Sequence, residues 1–301
     1  MKRNDMTKKL VFIHGRAQQN KDAGALKKEW IAALREGLDR IDLSLPIPET
    51  DIRFPYYGDT LHQLAQGVDP AAAAAVVVKG SGPADAAERK FMQEVLKEVA
   101  EKAGITEEEI EAEVPAEAVE KGPLNWGWVQ GILKVIDRRV PFGSSASVAL
   151  FTKDVYQYLT NMALRDKIDS GVLAAIHPEE PTVVVSHSLG TVVAYSLVQR
   201  EGQPRKWVIP TFITVGSPLG ITKIRQSLSP ISVPPVVGWW FNAFDERDVV
   251  ALYPLQKPHF DVSPASITNK RDVKNQTENR HGISGYLNDP EVAKRIHDAI
   301  L

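Results

Sequence analysis

The chain of 301 residues contains no cysteine. Disulfides and thiolate-bound metals are excluded, and nothing in the composition calls for an oxidising compartment. Long apolar runs are missing too. No segment approaches the roughly 20 apolar residues needed to span a bilayer. The basic start "MKRNDMTKKLVFIHG" holds only the apolar run 10–13, too short for the core of a secretory leader. With a net charge of −2 and no basic cluster beyond "KK" pairs and "DRR", neither nucleic acid nor an anionic membrane is an expected partner. No G-x-G-x-x-G opens a helix after the first apolar run, which removes a dinucleotide-binding reading. The expectation left standing is a soluble cytoplasmic protein.

What is present fits a globular enzyme: 43% hydrophobic and 25% charged residues in a chain long enough to bury a sizeable core. Residues 10–13 end at His14-Gly15 and read as a buried parallel strand. Residues 25–38 carry apolar side chains at helical spacing, and 52–54 give a second strand stopped by Pro55. Strand, helix and strand at this spacing predict a parallel crossover unit. From 60 to 143 the character changes to Ala, Glu and Lys, with "AAAAA", "GSGP" and "ITEEEIEAE". This block reads as mostly helical, with an exposed stretch near 80–83. Within it "WGWVQGILKVIDRRV" forms an amphipathic helix that either packs on a core or covers an apolar pocket.

Helix resumes at "SVALFTKDVYQYLTNMALRDKI". Strands at 182–185, 207–215 and 238–244 then alternate with helices at 189–200 and 221–228. A last helix has Asp289 as N-cap and Pro290 at its first position. The alternation predicts an α/β fold, an open and mainly parallel sheet with helices on both faces. Residues 1–59 and 144–301 form its core, and 60–143 an inserted helical cap.

In such sheets reactive groups collect at the carboxyl ends of the strands. The stretch "VVVSHSLGTVV" sets Ser188 between the small residues Ser186 and Gly190, as a sharp strand-to-helix turn requires. Leu189 opens the helix, so its N–H would face a developing oxyanion. The alternative is a serine that merely caps that helix. In "VFIHGRAQQ", the residue after His14-Gly15 supplies a second N–H, from Arg16 or, less readily, Ala17; His14 reads as structural rather than as a base. "WWFNAFDERDVVAL" offers Asp245, Glu246 and Asp248 as a carboxylate to orient an imidazole, and spacing does not choose among them. In "NQTENRHGISGYL", His281 is free to project over a strand end, where an imidazole of ordinary basicity suits proton transfer. His259 in "KPHFDVSP" is its rival.

Taken with "FITVGSPLGI", these stretches resemble the α/β-hydrolase superfamily, near its lipase and esterase branches, and the order Ser188, Asp248, His281 is that family's order. The resemblance implies Ser188 as nucleophile, His281 as general base and acid, and Asp248 as the orienting carboxylate. It implies oxyanion donors at Leu189 and Arg16, and a substrate wall from Gly216, Ser217 and Pro218. His14, Gly15 and His187 join Ser217 and Pro218 as expected substrate-binding residues. Two departures stand out: Ser186 replaces the first glycine of the turn, and the insertion follows the second recognisable strand. The implied reaction is ester hydrolysis through an acyl-enzyme, with a small acyl ester as partner and neither metal nor organic cofactor. Six tryptophans, Trp239 and Trp240 among them, are compatible with an apolar pocket. An acyltransferase or thioesterase on the same residues, and a catalytically silent binding protein, are the competing readings. Oligomeric state is left open.

Overall fold

The structure, a computed structural model, describes residues 8–15, 22–58, 86–114, 126–139, 145–263 and 267–301. In chain order the first elements are β1 (Lys9–Ile13), α1 (Ala23–Asp39), β2 (Ile52–Arg53), α2 (Ala86–Lys102), α3 (Glu107–Glu111) and α4 (Trp126–Arg139). They are followed by α5 (Ser145–Thr160), α6 (Met162–Leu173), β3 (Thr182–His187), α7 (Leu189–Glu201) and β4 (Ile209–Val215). The remainder is α8 (Thr222–Ser227), β5 (Val237–Ala243), β6 (Ile267–Lys270), α9 (Ser284–Leu287) and α10 (Pro290–Ile300). Among the described residues no helix is long and apolar enough to cross a membrane.

The six strands form one all-parallel sheet in the order β2-β1-β3-β4-β5-β6. Strand periodicity sorts their side chains to two faces. Val11, Ile13, Val184, Phe212 and Trp240 enter one apolar cluster, while Leu10, Phe12, Val183, Val185, Ile213 and Phe241 enter another. The first cluster takes in α2, α4, α5 and α7; the second takes in α1 and α10. Helices therefore cover both faces. Each central strand is buried on both sides, which is why it reads as a nearly continuous apolar run.

The expected elements are found with shifts of a residue or two, and two differences are informative. The long helix expected after residue 144 is two helices, α5 and α6, divided at Asn161. That side chain accepts from Leu164 N at 3.1 Å and starts a new helix. Strand β6 was not expected, because "ITNK" lacks an apolar pattern. Its Asn269 is accommodated by bonds to Asn242 and to both main-chain groups of Leu255. At the C-terminus Asp289 accepts from Glu291 N and Val292 N, with Pro290 opening α10.

Both boundaries expected for the inserted block, 59/60 and 143/144, lie outside the described residues, as do the alanine run and the 80–83 stretch. The apolar side of α4, from Val129 through Ile136, is buried in the same cluster as the α2 and α5 side chains.

One consequence of strand order positions everything that follows. After β1 the chain builds β2 on one side and then returns to build β3 on the other. A crevice at the carboxyl ends opens where such a sheet changes direction. Register sets Ile13 of β1 beside Ser186 of β3, so His14-Gly15 and His187-Ser188 emerge together at that point.

Candidate active site

Ser188 leaves β3 in a conformation that L-residues rarely adopt, φ 57° and ψ −132°. Such a backbone costs about 1–3 kcal/mol and persists only when its surroundings hold it. Here Ser188 N donates to Val215 O, and Ser188 O accepts from both Thr191 N (2.9 Å) and Thr191 Oγ1 (2.8 Å). With its proton committed to that carbonyl, the Thr191 hydroxyl accepts from Ser217 Oγ at 2.8 Å. Ser217 Oγ in turn accepts from Leu219 N. Ser217 thus braces the turn from behind.

Gly190 is required by close approach. A Cβ there would lie 2.4 Å from the carbonyl oxygens of both Ile13 and His14. The start of α7 presses on the end of β1, and no side chain fits between. Ser186 has room for its hydroxyl, which donates to Ile213 O.

The Ser188 side chain does not cap α7. Its Oγ lies 2.8 Å from His281 Nε2, and His281 Nδ1 lies 2.7 Å from Asp248 Oδ2. An ionised carboxylate only accepts, so Nδ1 carries the proton and Nε2 presents its lone pair to the serine hydroxyl. Asp248 is fully buried and surrounded by donors. Its Oδ1 accepts from Val250 N and Ala251 N, and its Oδ2 accepts from Tyr286 Oη at 2.6 Å as well as from His281. Burial, and then the charge of Asp248, push the Tyr286 phenol well above its ordinary range, so it remains a donor.

The choice between carboxylates is settled by their partners. Asp245 is engaged by Arg247 through two side-chain bonds and by Asn275 N. These interactions outweigh burial and hold its carboxyl below the usual range. Glu246 is exposed. The rival imidazole, His259, stacks on Tyr253 with centroids 3.6 Å apart.

Short polar side chains build the loop that delivers His281. Asn275 Oδ1 accepts from Thr277 N, Thr277 Oγ1 accepts from Gly282 N, and Asn279 Oδ1 accepts from His281 N. The run "NQTEN" is rich in residues that fold a chain back on itself. That signal was legible as a turn but not as a support for a particular histidine. Tyr286 and Thr191 had no sequence signal at all, since a tyrosine or threonine in an apolar helix ordinarily means core.

The expected substrate-binding residues fall into two groups. A Cβ on Gly15 would lie 2.8 Å from Ser188 Cβ, so Gly15 borders Ser188. His14, His187, Ser217 and Pro218 are buried as well; the polar side chains of His14, His187 and Ser217 bond to neighbouring groups of the protein, and Pro218 opens a short 3-10 turn. Leu189 is buried, and as the first residue of α7 its N–H has no intrahelical acceptor. Arg16, the other expected donor, lies outside the described residues.

His14 is held by Tyr57, whose N–H donates to Nε2 at 3.1 Å while Nδ1–H donates to Gly15 O at 2.6 Å. Burial lowers its pKa to about 4 from an ordinary value near 6.5. Between those values the unfolded chain binds a proton that the folded chain refuses. The contribution to stability is complete above pH 6.5 and is lost as pH falls through 4, a swing of about 3 kcal/mol. His187, also buried and held low, acts in the same direction. The urea midpoint is expected to fall between pH 7 and pH 4.5, and to fall distinctly less in His14→Gln. Equal falls in the two proteins would show that His14 is not held neutral.

Chemically the arrangement offers a hydroxyl with a base to take its proton, a buried carboxylate to stabilise the resulting imidazolium, and a helix N-terminus for developing negative charge. Among the described residues no group of three or more acidic, histidine or cysteine side chains is arranged to hold a metal ion. No family model, no curated protein and no solved structure matches this chain.

Proposed function

We propose that this protein is a serine hydrolase of the α/β-hydrolase type, cleaving a carboxylic ester through an acyl-enzyme on Ser188. The observation that carries the reading is the unbroken path from Ser188 Oγ through His281 to Asp248, which begins on a strained turn at the sheet's switch point. Plain structural serines have no need of that strain, nor of a buried carboxylate two bonds away.

In the forward half-reaction Ser188 Oγ attacks the ester carbonyl carbon as its proton passes to His281 Nε2. The carbonyl oxygen gains negative charge in front of Leu189 N–H, where a fixed donor needs no reorganisation. His281 then gives its proton to the leaving alcohol, and the C–O bond breaks. Water enters and attacks the acyl carbon as His281 Nε2 takes its proton; the bond from that carbon to Ser188 Oγ then breaks, His281 returns the proton to Oγ, and the carboxylic acid leaves. Asp248 holds the imidazole in one tautomer throughout. No metal or organic cofactor takes part. The inserted block 60–143 is read as the helical cap of this fold.

The test is labelling with a fluorophosphonate together with turnover of p-nitrophenyl esters of increasing chain length. The expected result is one adduct per chain on the peptide containing Ser188, and hydrolysis of at least the shorter esters. Turnover only after addition of an acceptor alcohol would recast the enzyme as an acyltransferase. A folded protein that is neither labelled nor active on any ester would overturn the proposal in favour of a binding role.

A further inference from the structure

His187 is the last residue of β3 paired with β4, opposite Val215. It precedes the nucleophile, yet it lies off the proton path. Its ring sits against that of His281, with centroids 4.8 Å apart, and is flanked by Trp30 at 6.2 Å and Tyr286 at 5.9 Å. Its Nε2 stands 2.7 Å from the main-chain oxygen of His281. A carbonyl only accepts, so this nitrogen carries the proton. Burial, and then the neighbouring His281, hold the imidazole well below its ordinary range. It is therefore uncharged while His281 takes up a proton, where a second cation would oppose the step.

The geometry points to His187 as a positioning residue that, through this bond, ties the loop carrying the base to the strand carrying the nucleophile. The inference rests on the hydrolase reading above. Asn279 Oδ1 to His281 N and Asn275 Nδ2 to Gly282 O also hold the main chain of that loop, but both come from within the loop itself. The bond from His187 reaches outside it, to a residue fixed by strand pairing. Adjacent residues thus hold the two reacting groups in register: Ser188 contributes the hydroxyl, and His187 fixes the backbone of its partner. A shift of about 1 Å in such a pair is enough to cost on the order of 100-fold in rate.

Three substitutions separate this role from simple packing. Glutamine places a side-chain N–H near the position of the imidazole Nε2, asparagine ends one bond short of it, and leucine keeps bulk without a donor. In His187→Asn and His187→Leu, kcat is expected to fall by roughly 30- to 100-fold, with KM within about three-fold. The fluorophosphonate labelling rate should fall in parallel. His187→Gln is expected to recover kcat to within about five-fold of the wild type. Equal kcat in the Asn and Gln variants would overturn the assignment, as would a folded Leu variant with wild-type kcat. Should the Leu variant not fold, the Asn and Gln pair decides. A wild-type chain without turnover or labelling would instead sink the hydrolase reading, and this inference with it. An active wild type with indistinguishable Asn and Gln variants sinks this inference alone.

Discussion

Replacing Ser188 by alanine is expected to lower kcat/KM for an ester by about four to six orders of magnitude, with the folded state retained. The loss follows from removing the atom that the proposed mechanism acylates. The retention follows from what the hydroxyl does not do. It gives α7 no cap, and among the described residues its hydrogen-bond partner is His281 Nε2. Alanine inherits the same positive φ, so the strain of the turn is carried over rather than added. The bonds that hold that strain run through the Ser188 main chain to Val215 and Thr191, and they survive the substitution. Steady-state ester hydrolysis beside a thermal melt measures both halves. A Ser188→Ala protein that keeps its activity would place the nucleophile elsewhere.

Asp248→Asn is expected to lower kcat by about 10⁴-fold, the scale on which a base locked in the wrong tautomer fails. The new amide can sit in only one sensible orientation. Val250 N–H and Ala251 N–H both point at Oδ1, so that position must remain an oxygen. The NH₂ group therefore lands where Oδ2 stood, facing His281 Nδ1 and Tyr286 Oη. Tyr286 can turn its hydroxyl to accept. His281 can meet a donor only by giving up its proton at Nδ1 and carrying it at Nε2, where it faces Ser188 and can no longer act as a base. Because the two residues act as a unit, the double variant with Ser188→Ala is expected to be scarcely worse than Ser188→Ala alone. Kinetics on the single and double variants provide the check; an Asp248→Asn enzyme within ten-fold of wild type would remove the carboxylate from the mechanism.

Much of the sheet was legible because a doubly covered parallel strand must be apolar on both faces. "LVFI", "TVVVS" and "FITV" announce themselves for that reason. The edge strand β6 did not, since its polar Asn269 is paid for by partners on β5 and at Leu255 that no local pattern reveals. The turn around Ser188 was visible in its small residues. Its physical cause was not, because the atoms that exclude a side chain at Gly190 belong to β1, remote in sequence. Asp245 and Asp248 illustrate the limit most sharply. They lie three residues apart in one loop, equally acidic and equally placed by the sequence, yet one faces an arginine and the other an imidazole.

By itself, then, the sequence determined an α/β chain of alternating strands and helices, with a serine at a tight strand-to-helix turn and a histidine in a polar loop near its end. Those features depend on side-chain periodicity and turn chemistry, which act over a few residues. The tertiary structure alone decided which carboxylate bonds to His281, where the polar side chains of His14, His187 and Ser217 find partners, and that Tyr286 also donates to Asp248. Ser188 and His281 are 93 positions apart, and Asp248 and His281 are 33 apart. Contacts at that separation are set by the order and register of strands, a cooperative property of the whole core that no short stretch encodes.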